Sequence, residues 1–342
     1  MKIASPHTWP AEWERQAATW IAWPHNHETW PHHFEAIPAA FTNFIETLSR
    51  LQPVHVLTGP EGIQPSAEER LQDLANVRLH PIATNDAWIR DFGPTFVRRK
   101  DDGSLVGVDW KYNAWGGKYP PYQFDAAASE AICRTLGCPR SMSAMHCEGG
   151  GLETDGQGTL LSTSSCLLSA TRNPGWSREM ICSELRSQLG VEKILWIDGG
   201  GLQGDDTDGH IDQLARFVAP GIVVAATSSV ADDPNRDGLE HNLRLLQQAQ
   251  DARERPLTVH SLPTPPPRLV AGQRVPESYC NFVFANGAVI VPTFRHERTD
   301  HYALDLLTRL LPDQQIIPLD AYYLVGGLGA WHCASQQQPA CD

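Results

Sequence analysis

The sequence predicts an α/β fold in which a strand–strand–helix–strand unit recurs about five times and closes on itself. Two observations lead to this prediction: helix-like and strand-like segments alternate at fairly even intervals, and a glycine-rich motif repeats along the chain. One such unit cannot bury its apolar face alone, whereas repetition with closure buries that face and removes exposed sheet edges. No low-complexity linker divides the chain, so we expect a single domain over residues 1–342.

The predicted helices and strands follow one another in the order that this unit requires. Helical periodicity occurs at residues 34–51, 65–75, 124–136, 177–189, 238–252 and 300–311. In the fourth of these segments, Ser177 is placed as an N-cap and Gly190 ends the helix. Short β-like runs and hairpin-like pairs lie between the helices, at residues 54–57, 194–197 and 315–317, and at residues 95–97 with 105–110, 214–218 with 222–226, and 282–284 with 288–291.

The glycine motif reads EGGGL at residues 148–152 and DGGGL at residues 198–202, with a weaker echo, VGGLG, at residues 325–329. Glycine lets the backbone turn sharply and come close to a neighbour or a ligand. The motif therefore marks either tight turns at the centre of a closed fold or segments that carry chemistry, and both interpretations stay open.

Net charge and cysteine spacing limit the partners that we expect. The formal net charge of −13 argues against a nucleic-acid partner, whose phosphates need Lys and Arg. It is compatible with a small cationic substrate, and equally with acidity that only maintains solubility. The eight cysteines include no Cys-x-x-Cys pair, and the His and Asp spacings match no zinc or calcium site, so we expect no metal.

The chain shows no signal for a membrane or for export. No apolar run reaches the ~18 residues of a membrane-spanning helix, and the first residues lack the apolar region of a signal peptide. We therefore expect a reduced, cytoplasmic protein without disulfides, in which one cysteine is present for its reactivity.

Cys333 is the candidate nucleophile. It follows a glycine turn and is flanked by polar residues, and a thiolate is the strongest nucleophile available at neutral pH once its pKa is lowered. By contrast, Cys133, Cys166 and Cys182 lie in apolar helix-like or strand-like contexts, which are typical of buried and inert thiols.

The segment DGHID at residues 208–212 is a candidate for acid–base chemistry. If it is a strand, His210 and Asp212 project to the same face, and the carboxylate favours the charged imidazole that a general acid requires. Taken alone, a satisfied structural His–Asp pair explains the motif equally well.

Two further segments suit a planar cation. Trp88 and Asp91 combine a flat aromatic ring with a carboxylate, which can stack on a cation and hydrogen-bond to it. Arg90 could instead form a structural ion pair with Asp86 or Asp91. Glu148 precedes the triple glycine and could orient the histidine or bind substrate, although a lone loop carboxylate would look the same.

Taken together, these segments resemble the family of agmatine deiminases and bacterial peptidyl-arginine deiminases. The matching stretches are collinear and cover essentially the whole chain. They are residues 10–14 (PAEWE), 20–26 (WIAWPHN), 85–95 (NDAWIRDFGPT), 108–110 (VDW), 113–117 (NAWGG), 148–151 (EGGG), 205–212 (DDTDGHID) and 332–337 (HCASQQ).

The resemblance implies a pentein fold, an α/β-propeller of five ββαβ modules with pseudo-fivefold symmetry around a central active site. It implies hydrolysis of agmatine, a small cationic guanidino substrate, to N-carbamoylputrescine and ammonia through a covalent Cys–amidino intermediate. This is a step of polyamine biosynthesis, and it needs no metal and no organic cofactor. The sequence leaves open whether the protein is a homo-oligomer such as a dimer.

The resemblance also implies a role for each candidate residue. Cys333 is the implied nucleophile, and His210 is the implied acid for departing ammonia and then the base that activates water. Asp91 and Asp212 are implied to hold the guanidinium nitrogens, which fixes the plane of the cation for attack. Glu148 is implied to orient the histidine.

The part of the substrate beyond the guanidinium is less well specified. The resemblance implies that Trp88 packs near the guanidinium and that Asp206 meets the distal amine of agmatine. The family more often has Glu at position 206, has Gly-Gly-Gly-Asn-Ile-His-Cys where residues 327–333 read GLGAWHC, and has a small residue in place of Glu277. We also expect that the loop at residues 115–122 could close over the site.

Three alternatives stay open. Deimination of free, peptidyl or modified arginine would require an Arg near the site for an α-carboxylate, or an open mouth for a peptide. Amidino transfer, in which an amine replaces water, is a second reaction on the same fold. A non-enzymatic pentein binding protein is the third, and the joint presence of the cysteine, the histidine and the carboxylates speaks against it.

Overall fold

The structure is a computed structural model that describes residues 5–198 and 200–341. Its strands are short and belong to several small sheets. In chain order the strands are β1 (His7–Thr8), β2 (Gln16–Ala22), β3 (Val54–Leu57), β4 (Val77–His80), β5 (Thr95–Arg99), β6 (Leu105–Lys111), β7 (Arg140–His146), β8 (Glu153–Thr154), β9 (Thr159–Thr163), β10 (Lys193–Ile197), β11 (Ala215–Ala219), β12 (Ile222–Thr227), β13 (Thr258–Pro263), β14 (Leu269–Val270), β15 (Gln273–Arg274), β16 (Val283–Ala285), β17 (Ala288–Thr293), β18 (Gln315–Asp320) and β19 (Gln336–Pro339).

The helices alternate with these strands. They are α1 (Ile37–Ser49), α2 (Gln64–Leu71), α3 (Ile89–Phe92), α4 (Ala114–Gly117), α5 (Gln123–Leu136), α6 (Ser164–Leu167), α7 (Arg178–Leu189), α8 (Arg236–Gln247) and α9 (Glu297–Leu310), with 3₁₀ turns at Phe34–Ala36, Gly149–Gly151, Ile211–Gln213 and Leu324–Gly327. Within the described ranges, none of these helices is long and apolar enough to cross a membrane.

One strand topology is repeated in five sheets of the described chain. In each, an antiparallel pair is extended by a parallel strand, as in β5–β6–β7, β8–β9–β10, β11–β12–β13, β16–β17–β18 and β19–β2–β3. A helix lies in each parallel connection, because two parallel neighbours need a crossover. The strand–strand–helix–strand unit is therefore confirmed, and the fold is a mixed α/β fold of small sheets.

The last strand closes the chain onto its beginning. Strand β19 pairs antiparallel with β2, so that residues near the two ends of the chain share one sheet. This pairing places the segment that contains Cys333 directly before the shared strand. It also explains why motifs at opposite ends of the sequence can contribute to one site.

The predicted helices are confirmed, and their bounds differ by a few residues. The largest difference is in α8, which ends at Gln247 and not at the predicted residue 252. Asp251 accepts hydrogen bonds from the backbone N–H groups of Arg253 and Arg255, and this local turn competes with continuation of the helix. The strands β1, β2, β4, β7, β8, β9, β13, β14, β15 and β19 and the one-turn helices were not predicted. Several of these elements are too short to carry a clear periodicity, and the longer ones, such as β2 and β7, pair with strands that lie elsewhere in the sequence.

The core is built from buried aromatic and aliphatic side chains that the helices present to the sheets. Helix α1 buries Phe41 and Phe44 completely, at the predicted spacing. The ring of Phe44 lies 4.7 Å from that of Trp331, which is itself fully buried. The chain immediately before His332 and Cys333 is thus anchored in the core. All eight cysteines are unpaired, as expected.

The glycine motifs form turns at the two positions that the structure describes in full. The first contains the 3₁₀ turn Gly149–Gly151, and the third overlaps the 3₁₀ turn Leu324–Gly327. Gly199 of the second motif lies outside the described residues.

Helix α7 has the predicted ends. Ser177 accepts a hydrogen bond from the backbone N–H of Met180 at 3.3 Å, and Gly190 takes the left-handed conformation at φ 73°. A Cβ at position 190 would also collide with the backbone oxygen of His7. Gly137 ends helix α5 with a similar φ of 66°, but a Cβ there would meet no atom within 4 Å.

These two glycines allow a matched test of the packing at the end of α7. We expect Gly137→Ala to lower the free energy of unfolding by about 1–2 kcal/mol, the cost of a left-handed alanine. Gly190→Ala should cost clearly more, because it adds a backbone collision to the same strain. Urea denaturation of both variants measures the difference, and equal losses would contradict the described contact with His7.

Candidate active site

Residues from several modules meet around Gly150. A Cβ added there would lie 2.6 Å from Nδ1 of His210, 2.7 Å from Oδ1 of Asp91 and 3.2 Å from Oδ2 of Asp212. Only glycine fits among these three side chains, so the triple glycine serves the close approach of functional groups as well as the turn. Glu148 directly precedes this turn and is also fully buried.

His210 and Asp212 do not lie in a strand, so that part of the prediction is wrong. His210 caps the 3₁₀ turn Ile211–Gln213, and the preceding Asp208 and Gly209 have φ values of 65° and 91°. Because Asp208 and Gly209 are left-handed and residues 211–213 form a 3₁₀ turn, the segment at residues 208–212 cannot be an extended strand. Both side chains still reach the site, but by turning inward from a loop.

The imidazole of His210 lies between two carboxylates. Its Nδ1 is 3.5 Å from Oδ1 of Asp91, and its Nε2 is 3.5 Å from Oε2 of Glu148. Burial opposes the charged form, but Asp91, Cys166 and Glu148 together raise the pKa of His210 well above its ordinary value. His210 is therefore an imidazolium at neutral pH. Among the described residues, neither ring nitrogen has a hydrogen-bond partner.

Glu148 is held by an arginine that sequence reasoning missed. Nε of Arg172 donates to the two carboxylate oxygens of Glu148 at 3.0 and 3.1 Å, and both side chains are buried. Burial opposes ionisation of Glu148, but the contact with His210 and the charge of Arg172 lower its pKa to about 2. The Glu148 carboxylate is thus ionised beside the imidazolium. Arg172 also pairs with Asp208.

Cys166 contacts the site, although its apolar context predicted only a packing role. It is fully buried in helix α6, as expected, but its Sγ lies 3.7 Å from Oε2 of Glu148. The ligand atoms of Glu148, Cys166 and His210 lie within 4.8 Å of one another, a donor set that zinc can accept. Because Arg172 already neutralises Glu148, a divalent cation would have to sit beside a guanidinium. Cys133 is buried and Cys182 is half-buried.

Asp91 accepts two hydrogen bonds that fix its carboxylate. Nε1 of Trp115 donates to Oδ2 at 2.9 Å, and the backbone N–H of Gly150 donates to Oδ1 at 3.0 Å. Burial raises the pKa of Asp91 to about 6, with Asp212 and Glu148 adding to this effect and His210 opposing it. Burial and the two neighbouring carboxylates thus oppose the ionised form of Asp91.

Cys333 faces the same carboxylates. Its Sγ donates to Oδ2 of Asp212 at 3.4 Å and accepts a hydrogen bond from Nδ2 of Asn281 at 3.1 Å. Burial, followed by the charges of Asp212 and Asp91, raises the pKa of Cys333 well above its ordinary value. In the free protein Cys333 is therefore a neutral thiol. Its pKa would fall if a cation joined the site.

Trp88 and Arg90 hold the segment that carries Cys333. A Cβ at Gly329 would lie 2.7 Å from Cζ3 of Trp88 and 3.0 Å from Cβ of Cys333, so the indole is next to the thiol segment. The backbone N–H of Arg90 donates to the oxygen of Cys333 at 3.2 Å. The guanidinium of Arg90 donates to the oxygen of His332 and to Gln337, and not to Asp86 or Asp91 as its structural interpretation suggested.

Asp212 contacts a second histidine that the predicted site did not include. Nδ1 of His332 lies 2.8 Å from Oδ2 of Asp212, and Nε2 of His332 lies 2.9 Å from Oε2 of Glu12. Among the described residues, Oδ1 of Asp212 has no hydrogen-bond partner. His332 and Glu12 belong to the motifs at residues 332–337 and 10–14, but no local pattern marked them as neighbours of the site. Arg172 and Asn281 lie outside the motifs.

Asp206 lies in an acidic region with Asp86. The hydroxyl of Tyr119 donates to Oδ2 of Asp206 at 2.5 Å, and Lys118 donates to the backbone oxygen of Asp206 at 2.5 Å. Burial raises the pKa of Asp86 to about 6, and the charge of Asp206 contributes in the same direction. Glu277, by contrast, pairs with Arg268 at 2.6 Å and contacts none of the site residues named above.

The charge around Cys333 leads to a prediction about its reactivity. In the free protein we expect iodoacetamide to label Cys333 only above the pH range of an ordinary thiol, because burial and two carboxylates oppose the thiolate. Asp212→Asn removes one of these charges and should move half-labelling to lower pH. Peptide mass spectrometry follows the reaction, with the exposed Cys341 as internal control. Half-labelling of Cys333 at the same pH in both proteins would contradict the described contact.

Comparison with known proteins identifies the family of this chain. The profile of the Porphyromonas-type peptidyl-arginine deiminases matches residues 8–339. The agmatine deiminase of Pseudomonas aeruginosa is 37% identical over 354 residues, covering 97% of this chain and 95% of that protein. A solved structure of the agmatine deiminase of Enterococcus faecalis has a TM-score of 0.91 at 32% identity, covering 98% of this chain and 97% of that one. The chain therefore belongs to the family of Porphyromonas-type peptidyl-arginine deiminases.

Proposed function

We propose that this protein is a hydrolase that converts agmatine and water to N-carbamoylputrescine and ammonia. The observation that carries this proposal is the group formed by Cys333, Asp91 and Asp212, in which a thiol faces two buried carboxylates and Oδ1 of Asp212 has no partner in the described chain. A planar cation with paired N–H donors satisfies that oxygen and compensates the charge. The relatives named above act on agmatine, whose guanidinium has this chemistry.

Binding of the guanidinium prepares the nucleophile. The cation offsets the charges of Asp91 and Asp212, which are among the causes of the raised pKa of Cys333, so the thiol loses its proton as the substrate enters. The two carboxylates hold the guanidinium plane, and the thiolate attacks its carbon from one face. Trp88, next to the thiol segment, would cover part of the cation.

The first half of the reaction releases ammonia. Attack forms a carbon–sulfur bond and a tetrahedral carbon that carries two amino groups. His210, an imidazolium, gives its proton to one of them, and the carbon–nitrogen bond breaks. Ammonia leaves, and a positively charged amidino group remains on Cys333, while the now neutral histidine keeps its place between Asp91 and Glu148.

The second half restores the enzyme. The neutral His210 takes a proton from water, the oxygen attacks the amidino carbon, and the carbon–sulfur bond breaks to return the thiolate. When the product leaves, the thiolate takes a proton from solvent, which replaces the proton that the thiol released to solvent as the substrate entered. The carbonyl product loses one proton, which converts the released ammonia to ammonium. Asp91, Glu148 and Asp212 stabilise both halves of the reaction. The positive charge moves between the substrate carbon and His210 but stays close to these three carboxylates.

The substrate tail is inferred from the acidic region around Asp206. Asp206 and Asp86 favour a distal ammonium over a distal carboxylate. Free arginine would place its α-carboxylate here, yet Arg172 is committed to Glu148 and Asp208, and Lys118 to Asp206 and Asp208. The site therefore supports agmatine over arginine.

We infer further that the five sheets stand around a pseudo-fivefold axis, as in a pentein propeller, and that residues 1–342 form one domain. The support is the convergence of residues from different modules on Gly150 and the pairing of the last strand with β2. A cytoplasmic location and the lack of a nucleic-acid partner stay predictions from the sequence, and the oligomeric state stays open.

The activity is tested with purified protein and three substrates: agmatine, arginine and a capped arginine peptide. We expect ammonia and the ureido product from agmatine, and much less from the other two. Cys333→Ser should lower kcat by roughly 10³-fold or more, as expected for loss of a nucleophile. Activity on arginine or the peptide but not on agmatine would overturn the substrate, and full activity of Cys333→Ser would overturn the mechanism.

The tail contact is tested by Asp206→Asn. We expect KM for agmatine to rise roughly tenfold or more, with a smaller change in kcat, since the lost interaction is with a charged group remote from the reacting carbon. Tyr119→Phe keeps the carboxylate and serves as the matched control. Butylguanidine lacks the amine, so its KM should be the same for wild type and Asp206→Asn. An unchanged KM for agmatine would remove Asp206 from the binding site.

A further inference from the structure

His332 stands between two buried carboxylates. Nδ1 faces Asp212 at 2.8 Å, Nε2 faces Glu12 at 2.9 Å, and only 1% of the residue is exposed. A carboxylate can only accept, so both contacts are hydrogen bonds only if both ring nitrogens carry a proton.

The far side of His332 is anchored by a chain of alternating charges. Oε2 of Glu12 also accepts from Nη2 of Arg216 at 2.6 Å, and Nε of Arg216 donates to Glu153 at 3.0 Å. The other oxygen of Glu12 accepts the backbone N–H of Phe284 at 2.8 Å. Burial opposes the ionisation of Glu12, but Arg216 and His332 outweigh it and hold the pKa of Glu12 well below its usual range. Nε2 of His332 thus contacts an ionised carboxylate, Glu12, whose position is fixed by its other hydrogen bonds.

The Nδ1 side of the His332 ring fixes the orientation of the Asp212 carboxylate. Oδ2 of Asp212 receives both the His332 ring and the thiol of Cys333, and Oδ1 has no partner in the described chain. The backbone of His332 and Cys333 is fixed as well, because both N–H groups donate to Oδ1 of Asn281 at 3.1 and 3.2 Å. With Oδ2 occupied, the carboxylate cannot rotate freely, and Oδ1 is left pointing to the guanidinium site.

We propose that His332 is a positioning residue that, as an imidazolium anchored on Glu12, keeps Asp212 ionised and turned so that Oδ1 meets the substrate guanidinium. The inference rests on the proposed function, in which Asp212 binds that group. His332 itself contacts no reacting atom. Its charge matters because Asp212 shares a buried site with Asp91, and a second ionised carboxylate needs a cation of its own.

Two substitutions separate the two contacts of the ring. The amide nitrogen of Asn occupies the place of Nδ1, and that of Gln reaches the place of Nε2. His332→Asn therefore keeps a donor toward Asp212 and loses the contact with Glu12. His332→Gln keeps the contact with Glu12 and leaves Asp212 without its partner. Each variant removes one hydrogen bond and the positive charge, so the pair is matched in what it loses from the core.

We expect His332→Asn, which loses the positive charge but keeps a donor toward Asp212, to lower kcat/KM for agmatine less than His332→Gln does. His332→Gln should lose roughly 10- to 100-fold, the range for a lost hydrogen bond to a charged group. A merely structural role predicts that activity follows stability in both variants, so urea denaturation is measured alongside. Equal kcat/KM in the two variants, or losses that follow their unfolding free energies, would overturn the positioning role.

The protonation of His332 is tested without any substrate. In protein labelled with ¹⁵N-histidine, the His332 signals are assigned by their loss in His332→Asn. We expect both ring nitrogens to show imidazolium shifts at neutral pH, and the shifts of a neutral ring would overturn the proposal. If wild type shows the imidazolium but does not hydrolyse agmatine, the proposed function fails and the charge state of His332 stands.

Discussion

The structure depends on the burial of several carboxylates within one small region. Burying an ionised carboxylate is costly unless a cation or hydrogen-bond donors compensate it. Glu148 has Arg172, and Asp212 has His332. Asp91 has only the longer contact with His210, together with two neutral donors, and burial raises its pKa to about 6. Of these carboxylates Asp91 is the least compensated, and its charge contributes to the raised pKa of Cys333.

In the proposed mechanism, the poorly compensated charge of Asp91 links substrate binding to catalysis. Asp212 and Asp91, which are proposed to bind the guanidinium, also raise the pKa of Cys333. In the proposed mechanism a cationic substrate is therefore required to activate the nucleophile, and a neutral molecule that entered the site would meet a thiol. The imidazolium of His210 does not replace the substrate here, because Asp91 and Glu148 already share its charge. Under this proposal the site selects a cationic substrate by charge before any contact with the substrate tail is made.

Much of the fold could be predicted from the sequence, because helical and strand periodicity repeats with the modules. The composition of the site could also be predicted, since its main residues lie in recognisable motifs. The partners of those residues could not. His332 and Glu12 are 320 positions apart, and no local pattern announces a contact that depends on the closure of the chain through β19. The error at His210 and Asp212 has a local cause: Gly209, in the left-handed conformation, turns the segment away from an extended path.

One loop contacts both ends of the proposed substrate-binding site. Trp115 donates to Asp91 at the guanidinium end, and Tyr119 donates to Asp206 at the tail end. Ala114 and Trp115 both have positive φ values, 51° and 56°, which side chains with a Cβ rarely adopt. Such a conformation persists only when its surroundings hold it, and here the holding contacts include the carboxylates that would bind substrate. An ammonium that takes over Asp206 would compete with Tyr119 for that oxygen. If Asp206 binds the tail as proposed, recognition of the tail is coupled to the backbone that fixes Asp91.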